Sequence, residues 1–488
     1  MDLSLDARFS NGAATAAAAA AAAAAAPLAK RQRRDELDTP LKSIAPLVEG
    51  LRASFASGCM RPLAARKQQL GRLKSLVADN KDALAAAVQQ DLARHPAFTA
   101  KILGGCVASC QYAIDNVDAW AAPRPLDSIG ERQCELRYAA RGAVLVVGTW
   151  NFPNPLVIKP LASALAAGCC VLVKLSEVCE HTSALLGRLL EAYLDPRVVR
   201  CVRGGVPQAT EVLRQKFDTI FYTGNTQVGR VVMRAAAEHL CPCVLELGGK
   251  NPVLVGHDAN VEVAARKIVD GRLKNAGQFC VAPDYVLADA KVKDALVEAM
   301  AKAIVDFFGD DPKQSPSYSR IVNQRHTRRI AALLDDAHAG RVAAGGQYDI
   351  GACYVAPTVV VDPSPSSRMM TAEIFGPILP VLAVPDMDAA VAFVNARARP
   401  LALYVFSGTA ETARGVVDAT HSGGSCVNDV IIHMLNEVLP FGGCGESGMG
   451  SYHGIFGFKA FSHEKAVMSV AASDDGGVRF PPYASAHQ

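Results

Sequence analysis

Four short segments of this chain carry residue types that can do covalent chemistry on a carbonyl group. In Asn275-Ala-Gly-Gln-Phe-Cys-Val-Ala-Pro-Asp284, Cys280 stands on a glycine-containing connection between a helical stretch ending near Lys274 and a strand starting near Tyr285. A loop-borne thiol can be exposed, but it is mostly protonated at neutral pH unless its surroundings lower its pKa or take its proton. The bland reading is a small buried hydrophobe, the usual fate of one cysteine among 14. In Leu245-Glu-Leu-Gly-Gly-Lys-Asn-Pro252, Glu246 ends an otherwise apolar strand. Burial there would raise its pKa toward the working pH and suit a base for water; the alternative is an ion pair with Lys250 or another cation.

Asn151 follows a strand and leads into a helix in Gly148-Thr-Trp-Asn-Phe-Pro153. Its amide can face a developing oxyanion, a contact worth about 100- to 1,000-fold in rate, or it can merely cap the turn. In Tyr222-Thr-Gly-Asn-Thr-Gln-Val-Gly-Arg230 a strand end turns into a helix, with Gly224, Thr226 and Gly229 in a G-x-T-x-x-G spacing. Glycines there let a phosphate approach a helix N-terminus, although the middle glycine of the usual fingerprint is missing and a plain turn is the other reading. Conversion of an aldehyde, which has no leaving group, to an acid needs a nucleophile, an oxyanion donor, a hydride acceptor and a base for water. The four segments answer to those needs.

Such residues must be held by a scaffold. Apolar residues recur at helical spacing between Pro40 and Ala121, as in Leu70, Leu73, Leu76 and Val77, which predicts a helical lead-in. From Ala143 short β-rich runs alternate with helical segments: Ala143 to Val147, Cys169 to Val173, Val198 to Val202, Thr219 to Tyr222 and Cys243 to Leu247. This alternation predicts a parallel α/β sheet with its ligands at the C-terminal strand ends. A second α/β series runs to about Leu439 through Tyr354 to Val361, Ile378 to Val384 and Leu403 to Phe406. Cys134 to Tyr138 and Phe458 to Val470 fall outside both series; they either pair as a small projecting β element or extend one domain's sheet. The expected division is 1–40 extension, 41–247 first domain, 248–439 second domain and 440–488 returning segment and tail.

With 488 residues the chain is too long for one ordinary core. Its net charge of +3 creates no basic field, so nucleic acid is not an expected partner. Gly142 to Ile158, the longest apolar stretch, is broken by Asn151, Pro153 and Pro155, and no transmembrane anchor is expected. The cysteines lack a four-ligand spacing, so no metal is expected, and a reducing, cytoplasmic setting fits a long chain without a recognisable leader. The alanine run Ala16 to Ala26, followed by Lys30, Arg31, Arg33 and Arg34, reads best as a low-complexity extension. Transit and nuclear signals are the functional alternatives, and Asp2 and Asp6 weigh against transit.

In order along the chain, GTWNFP, FYTGNTQVG, LELGGKNP, GQFCVAPDY, EIFGP at Glu373 to Pro377 and PFGGCGESGMGSYHG at Pro440 to Gly454 closely resemble the aldehyde dehydrogenase superfamily. The likeness is strongest to its class 3 branch, which includes fatty aldehyde dehydrogenases, and covers roughly Leu51 to Tyr483. It implies a Rossmann-like parallel-sheet cofactor domain, a second α/β catalytic domain, a small bridging β element and a homodimer. It implies Cys280 as nucleophile, Glu246 as general base, and Asn151 with the Cys280 backbone N–H as oxyanion hole. Implied cofactor contacts are Trp150, Lys174, Glu177, the turn with Gly224, Asn225, Thr226 and Gly229, then Glu373 on a ribose and Phe375 near the nicotinamide. A carboxylate at Glu177 should repel a 2′-phosphate and so favours NAD, with NADP as the second cofactor this branch uses.

The implied substrates are medium- to long-chain aliphatic or aromatic aldehydes. Three positions depart from the pattern: Leu175 replaces a usual proline after Lys174, and Ala276 and Phe279 replace smaller or sulfur-bearing neighbours of the nucleophile. A phenyl ring beside Cys280 is expected to narrow the substrate tunnel. The rival functions are a dehydrogenase that passes its acyl group to coenzyme A and a silent scaffold of the same fold; the joint presence of Cys280, Glu246 and Asn151 argues against the scaffold.

Overall fold

Helix-spaced apolar residues in the lead-in fold into four helices, Leu41–Ala56, Leu63–Asp79, Lys81–Leu92 and Pro96–Ala121. Ile44, Val48, Leu51, Leu70, Leu73, Leu76, Val77 and Leu84 lie on their buried faces. The last helix starts where Pro96, which needs no N–H partner in a first turn, follows His95, whose ring accepts from the Ala97 N–H. The computed structural model describes residues 38–130 and 132–474. The alanine tract with its basic cluster, and the tail from 475, lie outside the described residues.

The β-rich runs after Ala143 form a six-stranded sheet. Its order is Gly448–Met449, Cys243–Glu246, Thr219–Thr223, Ala143–Val147, Cys170–Lys174, Val199–Val202, all parallel except the short Gly448–Met449 edge. These strands are buried on both faces by flanking helices, as their near-continuous valine, leucine and cysteine content requires. The order reverses between Ala143–Val147 and Thr219–Thr223, so the loops after them, at Gly148 and Gly224, open onto a topological switch point.

A seven-stranded sheet follows, in the order Arg341–Ala344, Thr358–Val361, Ile378–Val384, Tyr285–Asp289, Pro252–Val255, Ala402–Phe406, Gly424–Val427. The run from Tyr354 to Val361, expected as one strand, is two pieces, Tyr354–Val355 and Thr358–Val361. Pro357 separates them, since proline cannot donate to a ladder. The two outlying segments pair with each other: Arg132–Ala140 runs antiparallel to Ser462–Ser469 from Ala140↔Ser462 to Gln133↔Ser469. Two details differ from expectation. Phe458 lies in the helix Gly454–Ala460, before the strand, and a third strand, Arg124–Ile129, joins the sheet at its other edge. Its Pro125, Asp127 and lack of alternation hid it from pattern reading, and a proline is tolerable on an edge. Among the described residues no helix is long and apolar enough to cross a membrane.

Register decides where chemistry can meet. The pairs Pro252↔Tyr285 and Thr358↔Ile378 bring the segments preceding these strands out at one edge of the seven-stranded sheet. Tyr404↔Val253 places the start of Ala402–Phe406 there as well. The link 247–251 leads straight from the C-terminal end of Cys243–Glu246 to that edge, so the two sheets face each other across a cleft.

Buried Asp284 ties this edge together. Its carboxylate accepts from Lys250 Nζ at 2.5 Å, Arg272 at 3.0 Å and the Ile374 N–H at 3.2 Å, joining the 247–251 link, the helix Val261–Leu273 and the segment before Ile378. Replacing it by alanine would leave two buried cations without their anion, a loss that typically costs about 3–5 kcal/mol. The expected result for Asp284→Ala is a lower denaturant midpoint together with loss of cofactor binding; wild-type stability in urea unfolding would refute the role.

Candidate active site

Cys280 lies at the domain cleft on a loop pinned from behind. Asn251 donates to the Cys280 carbonyl at 2.7 Å and the Ala282 carbonyl at 3.0 Å, and its own amide oxygen accepts from Ala402 N–H at 2.9 Å. Tyr404, fully buried, donates its hydroxyl to the Val281 carbonyl at 2.5 Å. The approach to the loop is left-handed at three consecutive residues, Asn275, Ala276 and Gly277, with φ of 53°, 53° and 73°. Gly277 has no substitute, since a Cβ there would stand 2.1 Å from the Gly376 carbonyl oxygen.

The thiol is held well above its ordinary pKa by burial first, with the carboxyls of Glu373 and Glu246 adding to the effect. Cys280 therefore rests as a thiol in the bare protein. Glu246 is 3 % exposed, and among the described residues neither of its carboxyl oxygens has a hydrogen-bond partner. Burial alone drives its pKa well up. The alternative of an ion pair with Lys250 is not realised: that ammonium is engaged by Asp284 and by the carbonyls of Met369 and Ala372 at 2.7 and 3.2 Å.

Asn151 does not cap the following helix, Pro155–Ala167, whose N-cap is Asn154. Its amide N–H₂ points toward the cysteine loop and donates to the Gln278 carbonyl at 3.2 Å. Its own carbonyl accepts from Arg94 and from Asn275 Nδ2, the latter at 3.0 Å, while Arg94 Nε also donates to Asn275 Oδ1 at 3.2 Å. Arg94, Asn275 and Gln278 thus join Asn151 to the Cys280 loop. No sequence signal marks Arg94 for this place. Phe279 leans on Phe152, ring centroids 4.4 Å apart, and Arg94 covers the other ring's face at 4.3 Å.

The expected cofactor residues fall in two groups along the cleft. At the end of Cys170–Lys174, the Lys174 ammonium donates to the carbonyls of Leu175 at 2.7 Å and Gly204 at 2.6 Å, and lies 3.9 Å from Glu177. Leu175 uses an N–H that a proline would lack, donating to Val202 at 3.0 Å and extending the sheet by one rung. Asn225 caps the helix Thr226–Ala237 by accepting from the Val228 N–H at 2.9 Å. A Cβ on Gly224 would meet the Tyr222 hydroxyl at 2.1 Å, and one on Gly229 would meet Leu247 at 2.8 Å.

Nearer the cysteine, the Gly249 N–H holds Glu373, and a Cβ on Gly248 would strike that carboxylate at 2.2 Å. Burial, with Asp284 adding, pushes the Glu373 pKa up to about 8. Phe375 meets Trp150 edge to face at 5.4 Å, and His326 packs on Trp150 at 5.2 Å. Arg329 fixes this turn by donating to the Ile374 and Phe375 carbonyls at 2.8 and 3.3 Å. A cavity of about 510 Å³, lined by Thr226, Gly248, Glu373, Arg399 and Glu446 among others, joins the helix N-terminus to this region. That volume suits a cofactor-sized ligand.

A doubly wound sheet whose glycine-lined helix start opens on a cleft with a loop cysteine and a buried carboxyl defines an α/β protein with a candidate dinucleotide site. The aldehyde dehydrogenase family model matches residues 43–467. A dog protein described as aldehyde dehydrogenase, dimeric NADP-preferring, is 40% identical over 449 residues, covering 91% of this chain and 98% of the relative. The rat aldehyde dehydrogenase family 3 member A2 is 41% identical over 442 residues, covering 89% and 90%. Among solved structures, the substrate-bound Staphylococcus aureus AldH superimposes with a TM-score of 0.87 at 34% identity, covering 90% of this chain and 96% of that one. The chain belongs to the aldehyde dehydrogenase family, and is thus an NAD(P)-dependent oxidoreductase.

An unpartnered buried carboxyl costs stability, by about 1–3 kcal/mol for a polar group left without its hydrogen bonds. Glu246→Met should therefore raise the unfolding midpoint while abolishing acid production. A destabilised Glu246→Met protein in thermal or urea unfolding would mean that the carboxyl is held by structure and not retained for chemistry.

Proposed function

We propose that the chain oxidises medium- to long-chain aliphatic or aromatic aldehydes to carboxylic acids through a thioester on Cys280, with NAD or NADP as oxidant. The observation that carries this reading is Glu246, a buried carboxyl without a hydrogen-bond partner among the described residues, close enough to Cys280 to help hold its thiol proton. A carboxyl spared from every ion pair in a dry cleft is suited to take a proton from water.

In the proposed cycle the Cys280 sulfur, once deprotonated, adds to the aldehyde carbon. The oxygen, now negative, is held by the Asn151 amide and the Cys280 N–H. When bound, the nicotinamide ring supplies the hydride acceptor, and loss of hydride from the adduct leaves an acyl group on sulfur. Gly224, Gly229 and Gly248 let Tyr222, Leu247 and Glu373 pack close around the helix start, and Glu373 would accept from a ribose hydroxyl of the bound cofactor. Glu246 then removes a proton from water as it attacks the acyl carbon, the carbon–sulfur bond breaks, and Cys280 is regenerated. Water is the acceptor on this reading; coenzyme A transfer would make no use of Glu246, and product analysis with and without coenzyme A separates the two.

Wild type should reduce NAD or NADP in the presence of hexanal, hexadecanal or benzaldehyde, and Cys280→Ser should not. Glu246→Gln should give a burst of reduced cofactor near one per site and then turn over about 100- to 10,000-fold more slowly. Both Cys280 and Glu246 act deprotonated, and burial holds both protons to higher pH, so the wild-type rate should climb from neutral toward alkaline pH. A burst absent from Glu246→Gln, with wild-type turnover, would overturn its assignment as base.

We also infer a homodimer formed through the three-stranded sheet. Among the described residues its Ser462–Ser469 strand is an open edge, with Met468 55 % exposed and Val470 52 % exposed just beyond it. An open edge of this kind favours pairing. Sedimentation should give twice the chain mass, and Met468→Lys should shift it toward the monomer; a wild-type monomer at micromolar concentration would refute this.

A further inference from the structure

The cavity between the two sheets has one cation that the catalytic assignments leave without a task. Its first-domain wall is the start of the helix Thr226–Ala237, and its second-domain wall is the segment that leads into Ala402–Phe406, with Arg397 and Arg399. Arg397 is committed, lying over the Phe393 ring at 3.5 Å and donating to the Phe393 carbonyl at 3.0 Å. Lys250, on the same cavity, is committed to Asp284. Arg399 is exposed and, among the described residues, has neither an ion-pair nor a hydrogen-bond partner.

Its place is close to the helix start. The Arg399 side chain lies 3.5 Å from where a Cβ on Gly445 would be, and the next residue, Glu446, accepts through its carbonyl from Thr226 Oγ1 at 3.2 Å. The acidic groups on the cavity are Glu373, held by Gly249, and Glu446, whose carboxylate is 3.4 Å from Arg230. Neither is paired with Arg399.

We propose that Arg399 reaches across the cleft to bind the diphosphate of the nicotinamide cofactor, opposite the helix N-terminus. The inference rests on the dinucleotide reading given above. A guanidinium offers planar paired donors to phosphate oxygens, and charge-assisted contacts of this kind are the stronger hydrogen bonds. A clamp from the second domain also makes cofactor binding sensitive to how the two sheets are held together.

The test is calorimetric titration of the full-length protein, without aldehyde, with NAD, ADP-ribose and adenosine. Arg399→Ala should weaken NAD and ADP-ribose by about tenfold, the effect of one charge-assisted contact, and leave adenosine binding unchanged. Arg399→Lys, which keeps the charge, should recover part of the loss. In the alanine variant the affinity for NAD should also fall less steeply with added salt. Unchanged ADP-ribose affinity in Arg399→Ala would overturn the clamp, as would an equal loss for all three ligands, which marks a merely structural effect. A wild-type protein that binds neither NAD nor NADP would instead overturn the cofactor reading itself, before any variant is compared.

Discussion

Asp284 is the interaction on which the site depends. One buried carboxylate holds Lys250 of the link after Glu246, Arg272 of the helix before the cysteine loop, and the backbone N–H beside Glu373. Three segments of the candidate site thus take their positions from one anion four residues after Cys280. The arrangement has a cost: among the described residues Arg272 keeps two nitrogens without partners, and burial depresses the pKa of both cations. A buried ion network is weak support for stability but binding in geometry, because removing one member strands the others.

The same dryness governs the chemistry. Burial raises the pKa of Cys280, Glu246 and Glu373 together, so the cleft holds three groups whose charged forms water would have favoured. An interior chosen for stability alone would fill such a space with apolar side chains. The nearby cations are bonded elsewhere: Lys250 to Asp284, Lys174 to carbonyls at the far end of the cleft, and Arg329 to the carbonyls of Ile374 and Phe375.

Backbone strain is concentrated in the same place. Asn275 and Ala276 adopt left-handed φ values ahead of Cys280, and Phe375 does so at 46° beside Trp150. Each non-glycine residue so placed costs about 1–3 kcal/mol and persists only when its surroundings over-determine it. The surroundings are visible: Arg94 and Gln278 brace Asn275, and Arg329 braces Phe375. Arg94 and Arg329 attract no notice in the sequence because their partners lie on other elements.

Much of this protein was legible in the chain itself. Alternating β-rich and helical runs specify two parallel α/β sheets, since only such sheets bury strands as uniformly apolar as Val144 to Val147 on both faces. The candidate site residues were legible too, because Cys280, Glu246 and Asn151 sit at strand ends and turns where a polar or reactive side chain can face a cleft. What one dimension left open were the pairings: whether Glu246 met Lys250, whether Asn151 capped its helix, and whether Cys134 to Tyr138 met the end of the chain. Tertiary structure decided these. A hydrogen bond or ion pair between distant segments depends on sheet register and on which competing partner stands nearer, as Asp284 does for Lys250, and neither quantity is written in local sequence.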